Sequence, residues 1–298
     1  MDKLERIKKA NLMLEKVEEL PTIPAIATQV LSLLDQPDIN IEEITDLMLS
    51  DQVMTARVLK LINSPVYSPA YKTTSLKAAL VYLGLDNIRE MALTTSLIQA
   101  FEKEKGIFEV GIFWEHAFGV GMVSKIIAGK IGYADLEKAY TAGIIHNLGI
   151  VALNTRMATE FQKILAAIKN KPVSMRNTEI ERFGTSHCEI GLCIAQKWNF
   201  PDVYCEVIAN HHSPLEAEMD PALCAIVNIS DLFCNVRGLD YGGREWVSFN
   251  LSEEPAWTIL KAESPSLEKM DIERFCYDLD DAIPHVRELV NSIFNMKI

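Results

Sequence analysis

Five histidines and one aspartate are the residues of this sequence most able to do chemistry together: His116, His146, His187, His211, His212 and Asp231. Each falls where the local pattern turns an apolar helix face inward. His116 stands in a three-four-three-four stripe with Phe113, Val120, Val123 and Ile127, a slot that the periodicity reserves for the core. His146 lines up with Ala142, Ile150 and Leu153 on what reads as the next helix, with Asn147 beside it. His187 opens a third, where Ser186 and Glu189 form a capping box and Ile190, Ile194 and Trp198 continue the face. His211 follows Tyr204, Val207 and Ile208 at the end of a fourth helix, which Pro214 stops, and His212 is its neighbour. On a fifth, Asp231 follows Cys224 and Val227.

Burying such a group is costly unless it is paired, so five helices that each point one inward imply that the groups meet. Two arrangements would satisfy them, a hydrogen-bonded polar core or a metal cluster. Imidazole and carboxylate suit Fe, Mn, Zn or Ni, and a carboxylate shared by two ions is the usual bridge in hydrolytic two-metal sites. The candidate ligands are His116, His146, Asn147, His187, His211, His212 and Asp231; no residue is assigned a catalytic role. Cys188, at a helix start beside His187, has no nucleophile pattern around it and reads as a packed thiol.

The elements that must position these groups are all helices. Apolar spacing of three and four runs almost throughout, as in Ile26, Val30, Leu33 and Leu34. Turn signals punctuate it at Asp35-Gln36-Pro37-Asp38, Asn63-Ser64-Pro65, Ser68-Pro69 and Gly84-Leu85-Asp86. Asn63-Ser64-Pro65 reads as a helix stop, with Asn in the left-handed conformation. Alternating strands, Gly-rich phosphate loops and repeats are not found, so the predicted fold class is all-α. The expected division is 1–102, a helical N-terminal half; 103–237, a helical core carrying the histidines; and 238–298, a long loop followed by C-terminal helices. The charged run Glu102-Lys103-Glu104-Lys105-Gly106, a solvated linker, marks the first boundary.

Composition narrows the function classes. The 298 residues carry 29 Lys and Arg against 41 Asp and Glu, a net charge of −12, which argues against nucleic acid or anionic lipid as partner. Six cysteines without a C-x-x-C pair read as free thiols of a reducing compartment, so a cytoplasmic protein is expected. No membrane segment is expected either: the most apolar stretch, Val110 to Gly129, is interrupted by Glu115, His116 and Lys125.

The order of the motifs resembles the HD superfamily of metal-dependent phosphohydrolases and, more specifically, the HDOD domain, the HD-related output domain of bacterial signalling proteins. Leu20-Pro21-Thr22-Ile23-Pro24 is similar to its L-P-x-x-P opening. Asp51 with Leu59-Lys60-Leu61-Ile62-Asn63-Ser64, and Ala78-Ala79-Leu80-Val81-Tyr82-Leu83-Gly84, follow its next two segments. Trp114-Glu115-His116, Ala142 to Gly149, His187-Cys188-Glu189-Ile190-Gly191 and His211-His212-Ser213-Pro214 then come in the family's order, over about residues 18–235. The resemblance implies a multi-helix HD-like core behind an N-terminal helical half, and a role in signal transduction.

Two departures bear on activity. Where an HD enzyme has His-Asp, this chain has His146-Asn147, and a neutral amide offers one carbonyl oxygen in place of a bridging charge. The cyclic-dinucleotide-hydrolysing branch would place a lysine at Ile150 and a G-Y-P signature downstream, and neither is present. The expectation is a regulatory protein with a weakened site for a divalent transition metal, working through an unidentified signalling partner and open to a small phosphate-containing ligand. The alternative is a metal-dependent phosphohydrolase acting on a nucleotide or another phosphate ester.

Overall fold

Side-chain caps fix where several helices begin. Asp2 accepts from the Glu5 amide at 2.8 Å, Asn40 from Glu42 at 2.9 Å, Asp135 from Lys138 at 2.9 Å and Asp220 from Leu223 at 3.0 Å. In a computed structural model, which describes residues 2–15, 25–34, 38, 40–63, 73–101, 106–108, 110–169, 173–241, 250–269, 271–280 and 282–294, the order is α1 (Lys3–Leu14), α2 (Ala25–Leu34), α3 (Ile41–Leu49), α4 (Gln52–Ile62), α5 (Leu76–Phe101), α6 (Val110–Ile131), α7 (Leu136–Ile145), α8 (Leu148–Arg156), α9 (Ala158–Ile168), α10 (Met175–Phe183), α11 (His187–Lys197), α12 (Asp202–Asn210), α13 (Pro221–Val236), α14 (Pro255–Glu263), α15 (Ile272–Asp280) and α16 (Ala282–Phe294). The fold is all-α, and no strand occurs among the described residues. Nor, among them, is any helix long and apolar enough to cross a membrane. The Leu20 to Pro24 motif, Ser64-Pro65, Ser68-Pro69, Asp35 to Pro37, the linker residues 102–105 and Gly242-Gly243 lie outside the described residues.

Contacts divide the chain into two compact units, 1–20 with 104–282 and 21–103 with 283–298. The sequence-based division 1–102, 103–237 and 238–298 differs from this at both ends. Helix α1 belongs with the later unit because its charged side chains find partners there: Lys3 Nζ meets Asn210 Oδ1 at 2.6 Å and Arg6 Nε meets Glu189 Oε1 at 2.7 Å. Residues after 237 stay in the same unit through α14, whose buried Ala256, Trp257 and Leu260 accompany its packing on α13.

Within the unit of residues 21–103 and 283–298, α2, α3, α4 and α5 bury Val30, Ile44, Met48, Met54, Val58, Ile88 and Ile98. Helix α5 is interrupted at Gly84, whose φ of +78° is strained for any residue with a Cβ. Asn63 does close α4, but by side-chain bonding rather than by a left-handed backbone. Its amide donates to Leu59 O at 2.7 Å and to Thr73 O at 2.8 Å, and its Oδ1 accepts from the Thr73 amide at 2.8 Å. The only described non-glycine residue with positive φ is Asn199.

In the unit of residues 1–20 and 104–282, α6, α7 and α13 form the centre, with Trp114, Phe118, Tyr140, Leu223 and Ile226 buried among them. Helices α8 and α11 cross at two glycines. A Cβ on Gly149 would lie 2.0 Å from His187 O, and one on Gly191 would lie 2.9 Å from Gly149 N, so the backbones themselves touch. That contact brings the first turn of α11 against the start of α8.

Candidate metal centre

The chain breaks between α7 and α8 where the sequence reads as one helix. His146 is the last cap of α7 and Asn147 the first cap of α8, so His146 does not share a continuous stripe with Ile150 and Leu153. The break turns both side chains into the unit's interior, where His146 is 0% exposed and Asn147 4%. His116 reaches the same place from the middle of α6 and Asp231 from α13.

Three ligand atoms converge there. His116 Nε2 lies 3.2 Å from Asp231 Oδ1 and 3.4 Å from His146 Nε2, and His146 Nε2 lies 3.7 Å from the same oxygen. The opposite nitrogens are already committed: His116 Nδ1 donates to Leu239 O at 2.6 Å and His146 Nδ1 to Gly143 O at 2.6 Å. A carbonyl oxygen can only accept, so each Nδ1 carries a hydrogen and each Nε2 is turned to the other ring and to the carboxylate. The three atoms are close enough to share one cation, a proton on a ring nitrogen or a metal ion held by all three. Two donors about 2.0–2.1 Å from a zinc ion at tetrahedral angles stand about 3.3–3.4 Å apart, close to these separations.

A second group of rings adjoins the first. His187 heads α11, with Nδ1 bonded to Glu179 Oε2 at 2.7 Å and Nε2 3.1 Å from His212 Nε2. His211 donates from Nδ1 to Ile208 O at 3.0 Å, while its Nε2 is buried with no hydrogen-bond partner. Ligand atoms of His187, Cys188, His211 and His212 lie within 4.8 Å of one another. The His146 and His211 ring centroids are 5.0 Å apart, and Asp231 Oδ2 is 3.9 Å from His212 Nδ1. Asp231 therefore looks at one group with each oxygen, and Asn235 Nδ2 steadies Oδ1 from 2.9 Å.

The electrostatics favour lone pairs over protons. Burial holds His146, His211 and His212 below the ordinary imidazole value, His212 at about 3, and for His211 and His212 the neighbouring rings add to it. Burial would raise the Asp231 carboxyl, but the hydrogen-bonding faces of His116 and His146 override that and hold it well below the carboxylate range. His187 runs the other way: burial opposes its charge, and the Glu179 carboxylate and the Cys188 thiol overcome it.

Asn147 borders the first group, its Nδ2 3.4 Å from His116 Nε2. Its Nδ2 donates to the Tyr241 hydroxyl at 2.9 Å and its Oδ1, though buried, has no hydrogen-bond partner. Tyr241 is 8% exposed, with its ring 4.7 Å from that of His116 and stacked on Phe108 at 5.4 Å. The first residues of the expected loop 238–255 are thus part of the site. A pocket lined by Asn147, His187, His212, Asp231, Asp240 and Tyr241 among others opens onto the two groups.

All seven sequence-predicted residues come together in this region. Sequence reasoning missed the groups that fix them: Glu179, Leu239 O, Gly143 O, Ile208 O, Asn235 and Tyr241. Glu179 is 0% exposed on a helix that otherwise reads as a surface one, and backbone carbonyls leave no trace in a sequence. Only Tyr241, an aromatic in a polar stretch, carried any usable signal.

Comparison with known proteins settles the family. The model of the HDOD domain matches residues 20–214. The chain belongs to the HDOD domain family. An HDOD domain protein with unknown function from Geobacter sulfurreducens is 32% identical, with a TM-score of 0.85 over 99% of this chain and 100% of its own. A protein of Shewanella amazonensis SB2B, provisionally described as a phosphohydrolase, shares the fold at 24% identity, with a TM-score of 0.71, 94% of this chain and 97% of its own. An uncharacterized protein of Treponema pallidum (strain Nichols) is 24% identical over 212 residues, 69% of this chain; the HDOD chain spans only 40% of that relative's length. The HDOD match ends before Asp231, Leu239 and Tyr241; Asp231 was a candidate from its helical stripe, and Leu239 and Tyr241 join the centre by geometry.

Proposed function

We propose that this HDOD protein is a bacterial cytoplasmic signalling module built around a metal-holding but hydrolytically idle centre, and that it acts through contact with a signalling protein. The observation that carries this reading is Asn147. A hydrolytic centre of the HD type needs a bridging carboxylate at that position, and here a neutral amide is turned toward Tyr241. His116, His146 and Asp231 would hold the ion, which would supply Lewis-acid character; Leu239 O and Gly143 O orient the two rings. Exposed apolar residues on α5, Val81 at 65% and Tyr82 at 58%, support a partner docking on the other unit.

Elemental analysis of chelator-free protein, with His146→Ala in parallel, tests the metal. An Fe, Mn, Zn or Ni content lost in the variant is the expected result, and a metal-free, folded wild type overturns it. An activated phosphodiester offered with Mn²⁺ or Zn²⁺ tests idleness, and turnover above the His146→Ala background would overturn that part.

The second reading, a metal-dependent phosphohydrolase, is favoured by Asp231, whose two oxygens face two separate groups of ligands. On that reading Asn147→Asp raises both metal content and hydrolysis.

A further inference from the structure

Helix α1 is the first element of the chain, yet it packs chiefly on α11, the helix that begins at His187. It carries its own cap: Asp2 accepts from the Glu5 amide at 2.8 Å, and the Glu5 carboxylate accepts from the Asp2 amide at 3.4 Å. One side of it meets the body, where Ala10 and Leu14 are buried and Cys193 Sγ donates to Ile7 O at 3.9 Å. The contacts nearest the rings are polar. Arg6 Nε donates to Glu189 Oε1 at 2.7 Å, and the other Glu189 oxygen accepts from the Ser186 amide at 2.9 Å, at the turn that presents His187. Lys3 Nζ donates at 2.6 Å to Oδ1 of Asn210, the residue before His211.

Positions 3 and 6 share one face of a helix, so a single turn of α1 grips both chain segments whose rings meet, with His187 Nε2 3.1 Å from His212 Nε2. Glu189 and Asn210 are themselves buried, so a bond lost from Arg6 or Lys3 leaves a polar group without its partner in the interior. Helix α10 spans the same two segments, with Arg176 on Ser213 at 3.2 Å and Glu179 on His187 at 2.7 Å. The two helices differ in their attachment. Three residues join α10 to α11, so α10 cannot leave without unwinding the start of α11, whereas α1 arrives from the far end of the chain.

We propose that α1 is a regulatory brace: Lys3 and Arg6 are positioning residues that set the spacing of His187 and His212, and displacing α1 loosens that pair while His116, His146 and Asp231 stay in place. The latter three are anchored by Leu239 O, Gly143 O and Asn235, on or just after α7 and α13. Chain continuity supplies a means of displacement. The chain passes from α1 into the unit that begins at residue 21, so a load applied to that unit by a docked protein reaches α1 along the backbone. That link to a partner rests on the function proposed above; the brace rests on the contacts of α1 alone.

Amide hydrogen exchange of the full chain, stripped of metal by chelator, tests it. Lys3→Gln combined with Arg6→Gln should speed exchange at least about tenfold over residues 186–190 and 210–213, the size expected when charge-assisted bonds are lost, and leave α6 and α13 around His116 and Asp231 unchanged. Arg6→Lys, which keeps the charge, should retain most of the protection. Lys8→Gln, which removes a charge from the exposed face of the same helix, should cost none. Unchanged exchange at both segments in the double variant would overturn the brace. An equal rise throughout residues 104–282 would overturn it as well, reducing α1 to ordinary packing. If the double variant does not fold, the single ones decide: Arg6→Gln should act at 186–190 and Lys3→Gln at 210–213, and any other pattern counts against the proposal. Because no metal takes part, a wild type that takes up none overturns the function proposed above and leaves the brace standing.

Discussion

The two groups of ligand atoms are held by different means. His116 and His146 are anchored by the backbone carbonyls of Leu239 and Gly143, and the carboxylate of that group enters as a ligand. His187 is anchored by a side chain, Glu179, whose charge sits behind the ring, and the group it heads has a thiol in place of a carboxylate. A main-chain anchor fixes a tautomer without changing ring basicity much. A carboxylate anchor does both, and makes its histidine the more electron-rich donor. The first group should therefore be rigid and hard to retune, the second adjustable through one residue.

Substitution of the two acids breaks the comparison most strongly. Asp231→Ala removes the carboxylate that faces both groups and should lower metal affinity by more than about 100-fold, exceeding the effect usual for an outer partner. Glu179→Gln keeps the shape and removes the charge, and should weaken the His187 group by about 10- to 100-fold while leaving the His116 group unchanged. Competition with a chromophoric chelator measures both; equal losses at the two groups would erase the distinction drawn here.

Acidification should come next in size. His146, His211 and His212 have folded pKa values below the unfolded value of about 6.5, so the stability they contribute is present above that pH and lost as pH falls toward about 3, the value held by His212. His187 is raised, so its contribution is full below about 6.5 and is lost as pH climbs through its folded value. The melting temperature of metal-free protein should therefore drop from pH 7 to pH 4, and His212→Asn should flatten that slope. Glu179→Gln should change the alkaline side instead.

Tyr241→Phe should have the smallest effect, about 1 kcal/mol in chemical denaturation with metal content unchanged, since it removes one hydrogen bond to Asn147. A large loss of metal in that variant would make the hydroxyl a ligand rather than a cover.

Much of this centre was legible in the sequence because a histidine in a core-facing slot is conspicuous. His116 and Asp231 stood out on their stripes, and His187 stood out by its capping box, in which the Ser186 amide does donate to Glu189 Oε2 at 2.9 Å. The all-helical fold was legible for the same reason of period. The break at His146-Asn147 was hidden because apolar residues on both sides keep helical spacing across it. Cys188, though at a helix start beside His187, read as a packed thiol because no nucleophile pattern surrounds it; its ring neighbours His211 and His212 come from another helix end. Lys3 and Arg6 bind partners some 200 residues away in sequence, Asn210 and Glu189, and such distant pairings leave no local trace that would group α1 with the later helices.

The crossing of α8 and α11 sets the dimensions of all this. Gly149 and Gly191 let two main chains meet with no side chain between them, one helix following directly from His146-Asn147 and the other beginning at His187. Substitutions elsewhere in the interior can be absorbed by repacking, because side chains have rotamers to spare. At this crossing there is nothing to rotate, and any added carbon would push the helices apart like a shim in a hinge. The gauge between the two groups of rings is thus inherited from two missing side chains, and neighbouring residues can drift over time without altering it.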